Sequence, residues 1–183
     1  MTKILSAPLA REEIEALQTG DEVLVQGTVY AARDAAHQKM TQALANGQGL
    51  PVDLQGQIIY YVGPCPAPEG RVIGSAGPTT SGRMDVYTPL LLEQGLKAMI
   101  GKGPRNEEVI AAMQAQGAVY LAAVGGAGAY LAQRIIAAQV VAYPELGPEA
   151  LLKLEFKDFP CIVAIDCRGN NIYAGNREEG ASV

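Results

Sequence analysis

Tryptophan is absent from this 183-residue chain, histidine occurs once, and aromatic residues make up only 5% of it. Positive charge is also scarce, because 14 Lys and Arg residues face 19 Asp and Glu residues and leave a net charge of −5. A protein that binds nucleic acid needs a basic surface, so nucleic acid is not an expected partner. No apolar run reaches the length of a membrane span, and the N-terminal residues lack a signal-peptide pattern. We therefore expect a cytoplasmic protein with no membrane contact.

Cysteine is scarce as well, with Cys65, Cys161 and Cys167 only. No two of them form a C-x-x-C pair, and their odd number argues against a closed disulfide framework. Cys161 lies in an apolar segment typical of a buried strand, where a thiol behaves as a small hydrophobic group. An iron–sulfur cluster needs three or four thiolates that converge on one point. This chain is therefore not expected to hold such a cluster by itself.

Small and aliphatic residues dominate what remains: 49% of the chain is hydrophobic and 21 residues are glycine. Over this length, that composition is typical of one compact α/β domain, which we assign to residues 1–183. Apolar periodicity and β-branched residues predict strands at 22–32 and 57–62, with a helix at 34–45 between them.

From residue 71 onward the sequence alternates between short apolar segments and longer helical patterns. The predicted helices are 84–94, 106–116 and 127–137, and the predicted strands are 71–75, 96–100, 118–124, 139–142, 151–156, 161–165 and 171–173. Alternation at these lengths predicts parallel strands joined by right-handed crossovers. Residues 176–183 are predicted to be a frayed tail.

A loop rich in glycine and hydroxyl groups, residues 74–85, lies between the predicted strand 71–75 and its helix. Glycines allow a backbone to approach a ligand closely. Hydroxyls and amides at a helix N-terminus, together with an arginine, can hold a carboxylate or a phosphate. The simpler interpretation is a connection in which Thr80 or Ser81 caps the helix. The residues alone leave both interpretations open.

In an open parallel α/β sheet, ligands bind beyond the carboxyl ends of the strands. Two loops predicted at those ends carry hydroxyls and cations: Thr79, Thr80 and Arg83 in 76–83, and Lys102 and Arg105 in 101–105. A third such loop is 125–127. The sequence therefore predicts an anion site at this edge of the sheet.

The start of the predicted helix 34–45 offers another cation. Arg33 and His37 are four residues apart, so they can lie one turn apart on one face. From spacing alone, an exposed arginine beside a polar histidine at a helix start is the simpler interpretation.

The same segments resemble a known family. They are Arg33-Asp34-Ala35-Ala36-His37, Gly77-Pro78-Thr79-Thr80-Ser81-Gly82-Arg83-Met84-Asp85, Gly101-Lys102-Gly103, Tyr143-Pro144-Glu145-Leu146-Gly147, Phe159-Pro160 and Asp166-Cys167-Arg168-Gly169-Asn170. Together they are similar to the β-type domain of iron–sulfur hydro-lyases, the class I fumarases and L-tartrate dehydratases. The resemblance covers nearly the whole chain in the family's order.

The resemblance implies a swivelling β/β/α domain with a mostly parallel sheet, a second smaller sheet and flanking helices. It also implies a C4 dicarboxylate substrate held by Arg33, Thr79, Thr80, Arg83 and Lys102, with Thr79 and Lys102 as the catalytic pair. The family's [4Fe-4S] cluster belongs to a separate α-type component. The chain should therefore be the β subunit of a hetero-oligomer such as α2β2, and active only with its partner.

The resemblance implies reversible hydration of fumarate to L-malate, with L(+)-tartrate dehydration as the alternative. A threonine hydroxyl is a poor base unless nearby cations lower its pKa strongly, so Thr79 either acts as the base or only binds a carboxylate. A phosphate-binding module is a weaker rival, because neither G-x-x-x-x-G-K-[ST] nor a suitable G-x-G-x-x-G occurs. A non-catalytic anion-binding or structural subunit is the remaining alternative, and it has no need for Arg33, Arg83 and Lys102 to converge.

Overall fold

A computed structural model of the chain describes residues 2–174. Seven strands and five α-helices make up most of it, together with 3₁₀ turns at Ser81–Met84 and Pro144–Glu149. The strands are β1 (Lys3–Ser6), β2 (Glu22–Ala31), β3 (Ile58–Tyr60), β4 (Ala98–Gly101), β5 (Val119–Ala122), β6 (Ile135–Ala142) and β7 (Leu151–Ile165). The helices are α1 (Arg11–Glu15), α2 (Asp34–Ala45), α3 (Thr88–Glu93), α4 (Glu107–Gln116) and α5 (Gly128–Ala132).

The seven strands form one sheet in the order β1-β2-β3-β4-β5-β7-β6. Strands β1 to β5 pair in parallel, whereas β7 runs antiparallel to β5 and β6. Because β7 also pairs with β2, strands β2, β3, β4, β5 and β7 form a closed circuit. The expected α/β fold with a mostly parallel sheet is confirmed, and the extra strands continue that sheet through β7 instead of forming a second one.

Successive residues of each strand point to opposite faces of this circuit. Alternate residues of its five strands, among them Tyr60, Leu121 and Val163, share one core with Phe156 and Phe159. The two phenylalanine rings stack with centroids 4.1 Å apart, and Tyr60 meets Phe159 edge-on. The neighbours of these positions, such as Ile59, Met99 and Tyr120, face α2, α3 and α4 in a second core. This alternation is the period of two that β-strands impose.

Helices α2 and α4 confirm the prediction most closely, α2 with the bounds 34–45 and α4 one residue shorter than predicted. Asn106 caps α4, since its side chain accepts a hydrogen bond of 2.8 Å from the backbone N–H of Val109. Gly117 ends that helix in the left-handed conformation with φ 60°. Both termini are set by local residues, which explains why the sequence predicted them well.

Elsewhere the predicted elements were partly wrong. Residues 71–75 form no strand, and the predicted helix 84–94 is divided into the 3₁₀ turn 81–84 and α3. Gly74 lies so close to the chain before it that a Cβ would come within 2.4 Å of the carbonyl oxygens of Cys65 and Pro66. This close approach holds the segment as a loop. The predicted helix 127–137 ends at residue 132, because the chain turns at once into β6.

The predicted strands 151–156 and 161–165 are one strand, β7. Asp158 takes a positive φ of 51°, and the opposite strand shifts register between Val25 and Gly27, so the ladder continues past the irregularity. The predicted strand 171–173 is reduced to a single bridge between Ile165 and Asn171. The predicted tail 176–183 lies outside the described residues. Within residues 2–174 no helix is both long and apolar enough to cross a membrane.

Candidate active site

Backbone hydrogen bonds attach the loop 74–85 to the carboxyl edge of the sheet. The N–H of Thr79 donates to the carbonyl of Tyr61 at 2.8 Å, and the N–H of Ser81 donates to the carbonyl of Lys102 at 2.9 Å. Thr80 and Lys102 form a parallel bridge. Residues 79–81 thus act as a short extra strand that extends β3 and β4. This arrangement places Thr79, Thr80 and Lys102 together where parallel strands present ligand sites.

The same loop abuts the start of α5. The N–H of Ala76 donates to the carbonyl of Gly128 at 3.1 Å. A Cβ on Gly128 would lie 2.9 Å from the backbone nitrogen of Gly77 and 2.4 Å from Oγ of Ser75, so only glycine allows this approach. The loop 74–85 therefore contacts the first residue of α5, directly after the predicted loop 125–127.

Two buried hydroxyl groups, those of Ser81 and Tyr120, attach the 3₁₀ turn 81–84 to β5. The hydroxyl of Tyr120 on β5 donates to the carbonyl of Gly103 at 2.9 Å. Its single proton is then used, so the hydroxyl of Ser81, 2.8 Å away, must donate to Tyr120. Burial raises the pKa of Tyr120 far above its usual value, which keeps this donor protonated.

Arg105 was predicted as a cation at the open edge, and this prediction was wrong. Its side chain is fully buried, with the guanidinium 5.2 Å from the ring centroid of Tyr61 and 5.1 Å from that of Tyr120. Nε pairs with Oδ1 of Asp85 at 2.6 Å, and Nη2 donates to Oγ1 of Thr88 at 2.7 Å. Because a buried charge must be paired, Arg105 serves to hold Asp85 and the turn before it.

Arg33 and Arg83, far apart in sequence, meet at the carboxylate of Asp34. Arg83 pairs with it through two atoms: Nη2 lies 2.8 Å from Oδ2, and Nε donates to Oδ1 at 3.1 Å. Nε of Arg33 lies 3.6 Å from the same Oδ2 and 3.1 Å from Oε1 of Glu149. Two cations and two carboxylates therefore alternate along this part of the edge.

Lys102 is exposed, and its stem runs beside Gly125, where a Cβ would lie 3.5 Å from Cδ of the lysine. Within residues 2–174 its ammonium forms no ion pair. Arg83 is linked to Thr80 within the 3₁₀ turn, because the backbone N–H of Arg83 donates to the carbonyl of Thr80 at 3.4 Å. All five predicted site residues thus belong to one connected stretch of the carboxyl edge.

His37 is buried and the side chain of Arg33 is only 28% accessible, so the interpretation of an exposed arginine beside a polar histidine was wrong for the arginine. The carbonyl of Arg33 accepts from the backbone N–H of His37 at 3.0 Å, and Nδ1 of the ring lies 2.9 Å from the same oxygen. A carbonyl can only accept, which assigns the ring proton to Nδ1. Burial lowers the pKa of His37 to about 4, so the ring is neutral at neutral pH and holds the backbone of Arg33.

Sequence reasoning missed Asp34, Asp85 and Glu149 as partners of the cations. The first two lie inside the segments that carry the resemblance, next to Arg33 and two residues after Arg83. Glu149 follows Tyr143–Gly147 and reaches Arg33 because this turn packs against α2, where Lys39 pairs with Glu145 at 2.5 Å. Position within the segments that carry the resemblance was the only sequence signal for Asp34 and Asp85, and the sequence held none for Glu149.

A comparison with known protein families shows which family the chain belongs to. Residues 2–176 match the family model described as Fumarase C-terminus. The chain belongs to this family. The resemblance found in the sequence is therefore confirmed.

Both whole fumarate hydratases and a separate subunit are similar to the chain. The aerobic class I fumarate hydratase of Escherichia coli K12 is 44% identical over 149 residues, which cover 80% of this chain and 27% of that protein. Fumarate hydratase 2 of Leishmania major is 40% identical over 166 residues, 90% of this chain and 29% of that protein. A putative L(+)-tartrate dehydratase subunit beta of Methanocaldococcus jannaschii is 40% identical over 171 residues, 90% of this chain and 88% of that protein. The chain thus spans less than a third of the two fumarate hydratases but most of the tartrate dehydratase subunit.

The donor groups of this chain do not fit an iron–sulfur cluster. Cys65 is exposed, Cys161 is buried, and Cys167 is half-buried. Burial also raises the pKa of the Cys161 thiol well above its usual value, which disfavours the thiolate that iron requires. Within residues 2–174, no three His, Cys, Asp or Glu side chains are placed to hold a metal ion.

We expect Arg105→Met to lower the free energy of unfolding by about 3–5 kcal/mol, because it leaves the buried carboxylate of Asp85 without its partner. Urea denaturation followed by circular dichroism measures this change. Arg134→Met is the matched control, since Arg134 lies 5.1 Å from the ring centroid of Tyr130 but at the surface. The control should cost less than about 1 kcal/mol. Equal losses in the two variants would contradict the structural role of the buried pair.

His37 makes stability depend on pH. Its pKa is about 4 in the folded chain and about 6.5 in the unfolded chain, so the unfolded state binds the proton more tightly. The stabilisation is complete above pH of about 6.5 and is lost as the pH falls, by roughly 3 kcal/mol at pH 4.

His37→Asn keeps an N–H donor near the carbonyl of Arg33 but does not titrate. The difference in unfolding free energy between the original chain and this variant should therefore shrink as the pH falls from 7 to 4.5. Because the chain has a single histidine, no other imidazole contributes. A difference that stays constant over this range would rule out a buried neutral ring.

Proposed function

We propose that this chain is the β subunit of a class I fumarate hydratase, which hydrates fumarate reversibly to L-malate. The observation that carries the proposal is the polar edge where Arg33 and Arg83 flank Asp34 while Thr79, Thr80 and Lys102 lie on adjoining strand ends. Two arginines and a lysine on one edge suit a ligand with two carboxylates, since guanidinium groups pair with carboxylates in bidentate geometry.

Elimination of water from malate needs a base for the carbon-bound proton, cations for the carboxylates and a Lewis acid for the leaving hydroxide. Arg33, Arg83 and Lys102 provide the cations in this chain. A [4Fe-4S] cluster held by an α-type partner supplies the Lewis acid when bound. The active site is therefore shared, and this chain binds and orients the substrate.

Thr79 is the proposed base, and Lys102 is its catalytic neighbour. The bridge between Thr80 and Lys102 places the lysine on the strand that adjoins Thr79. A cation near a hydroxyl favours the deprotonated form of that hydroxyl, and Lys102 has no competing carboxylate within residues 2–174. The other role for Thr79 is that of a carboxylate ligand beside Thr80.

A partner is needed to close this edge. Thr80, Arg83 and Lys102 are exposed, and so is Val124, whose side chain is 63% accessible in the loop next to Lys102. The relative named subunit beta supports a separate α-type subunit, in a hetero-oligomer such as α2β2.

L(+)-tartrate is the second candidate substrate. The chain covers 88% of the relative named as a tartrate dehydratase subunit, and that relative has the size of this chain. Fumarate is preferred because Gly82-Arg83-Met84-Asp85 resembles the fumarase form of the segment. A non-catalytic subunit is disfavoured because the arginines converge on one carboxylate.

The deciding experiment is co-expression with the α-type reading frame, anaerobic purification, and assays on malate, fumarate and L-tartrate. We expect hydration of fumarate by the complex and none by this chain alone. The isolated chain should be colourless after anaerobic reconstitution with iron and sulfide, because within residues 2–174 no three His, Cys, Asp or Glu side chains are placed to hold a metal ion. About four irons per isolated chain, or activity without the partner, would contradict the proposal.

Arg83→Lys tests the carboxylate clamp. The change keeps the charge but removes the planar fork, which costs one hydrogen bond to a charged group worth roughly 1.5–3 kcal/mol. The kcat/KM of the complex for malate should fall by about 10- to 150-fold. The melting temperature should hardly change, since half of the side chain is exposed.

Arg71→Lys is the control for this test, because Arg71 is an exposed arginine that lies outside the site edge. Its kcat/KM should remain that of the original complex. If Arg83→Lys also leaves kcat/KM unchanged, Arg83 does not bind substrate, and a large fall in its melting temperature would make its role structural.

A further inference from the structure

We propose that Asp34 is a positioning residue that holds Arg33 and Arg83 at a fixed separation, so that their free edges face one dicarboxylate. The proposal rests on the proposed function, because it concerns the same cations. It is carried by a separate observation, namely which nitrogen atoms of the two guanidinium groups are already paired.

Arg83 is paired along one edge only. Nε donates to Oδ1 of Asp34 at 3.1 Å, and Nη2 lies 2.8 Å from Oδ2 as an ion pair without hydrogen-bond geometry. Within residues 2–174, Nη1 of Arg83 has no partner, and the side chain is 52% accessible. The terminal edge of the fork therefore stays open to a ligand while Asp34 holds the Nε edge.

Arg33 is held by ion pairs alone. Its Nε lies 3.1 Å from Glu149 and 3.6 Å from Asp34 without a hydrogen bond to either, so the carboxylates again lie on the Nε side. A Cβ on Gly63 would come within 2.7 Å of both Cδ and Nη1 of Arg33, so the side chain lies across bare glycine backbone. With its carbonyl fixed by His37, Arg33 is constrained at both ends.

Asp34 is the one carboxylate within residues 2–174 that contacts both arginines. It is the first residue of α2, and a negative charge is favoured there by the helix dipole. A rival interpretation is that Asp34 occupies the substrate's place and competes with it. A competitor would pair with the exposed terminal edges, whereas Asp34 takes the Nε side of both groups. The two interpretations predict opposite changes in affinity when the charge is removed.

The first test is Asp34→Asn in the α/β complex. Loss of the charge should loosen both arginines and raise KM for malate more than it lowers kcat, with a fall in kcat/KM of about 10- to 100-fold, since small misplacements have effects of this size. Asp34→Glu should recover part of the loss. Unchanged kinetics would overturn the proposal, and a lower KM would identify Asp34 as a competitor instead.

Asp21→Asn is the matched control. Asp21 is a carboxylate with 28% accessibility, against 31% for Asp34, and it pairs with Lys3 at 2.6 Å just before β2, at the opposite end of that strand from Arg33. The control should lose a similar amount of stability and keep its kcat/KM. If it loses as much activity as Asp34→Asn, loss of stability would explain both results and the proposal fails.

A double-mutant cycle tests whether Asp34 acts through Arg83. In a complex that carries Arg83→Lys, the further change Asp34→Asn should reduce kcat/KM by much less than it does alone, because the fork it holds is gone. Fully additive losses would mean that Asp34 acts independently of Arg83 and would overturn the proposal.

A second measurement does not require hydratase activity. In the ¹⁵N-labelled chain alone, the Nε–H of Arg83 should exchange slowly with solvent, and Asp34→Asn should make this exchange at least several-fold faster. Absence of activity in the complex with this NMR result intact would sink the proposed function and leave the positioning role standing. Fast exchange in both chains would overturn the positioning role.

Discussion

The sheet edge that carries the candidate site is stabilised by the guanidinium of Arg105, although this group is buried and is not part of that edge. Arg105 lies between the rings of Tyr61 and Tyr120 and pairs with Asp85, and the other oxygen of Asp85 accepts from the backbone N–H of Asn106 at 2.8 Å. A buried charge without a partner costs several kcal/mol, so this pair tolerates little displacement. The pair of Arg105 and Asp85 therefore fixes the 3₁₀ turn 81–84 to β3, β5 and α4.

Two arginines in this region, Arg105 and Arg83, have different roles. Arg105 is buried, with Nε paired to Asp85, Nη2 bonded to Thr88 and Nη1 without a hydrogen-bond partner within residues 2–174. Arg83, in contrast, is exposed at one edge and paired at the other. Arg105 has no accessible edge for a ligand. Arg83 keeps its terminal edge open, because Asp34 lies on its Nε side. The buried pair supplies the frame, and the exposed pair supplies the chemistry.

The sequence predicted those parts of the fold that local residues determine. Helix 106–116 was found nearly to the residue, since the Asn106 cap and the left-handed Gly117 mark its ends. Helix 34–45 was found because it stops just before the left-handed Gly47. It failed where tertiary contacts override local preference. The segment 71–75 has strand-forming residues, yet the approach at Gly74 holds it as a loop, and β7 continues through an irregularity that the partner strand absorbs.

The candidate site, like the fold, was predicted correctly only where local sequence determines it. The rhythm of strands and helices placed Thr79, Thr80, Arg83 and Lys102 at the carboxyl edge, although the strand expected before the loop does not exist. Whether an arginine in such a loop is buried or open depends on rings that arrive from β3 and β5. Spacing carries no information on this point, which is why Arg105 was misplaced and Glu149 was missed.

Strand β7 has a consequence for how the chain reaches this structure. It pairs with β2, β5 and β6, and it is the last strand of the described residues. Ring closure therefore joins segments from opposite ends of the sequence, a non-local step of the kind associated with folding on the order of milliseconds to seconds. Until β7 arrives, β2 and β5 both present unpaired backbone groups, which invite association with other chains. A chain cut short before residue 151 would therefore be an open sheet with two unpaired edges, at β2 and β5, instead of a slightly smaller domain.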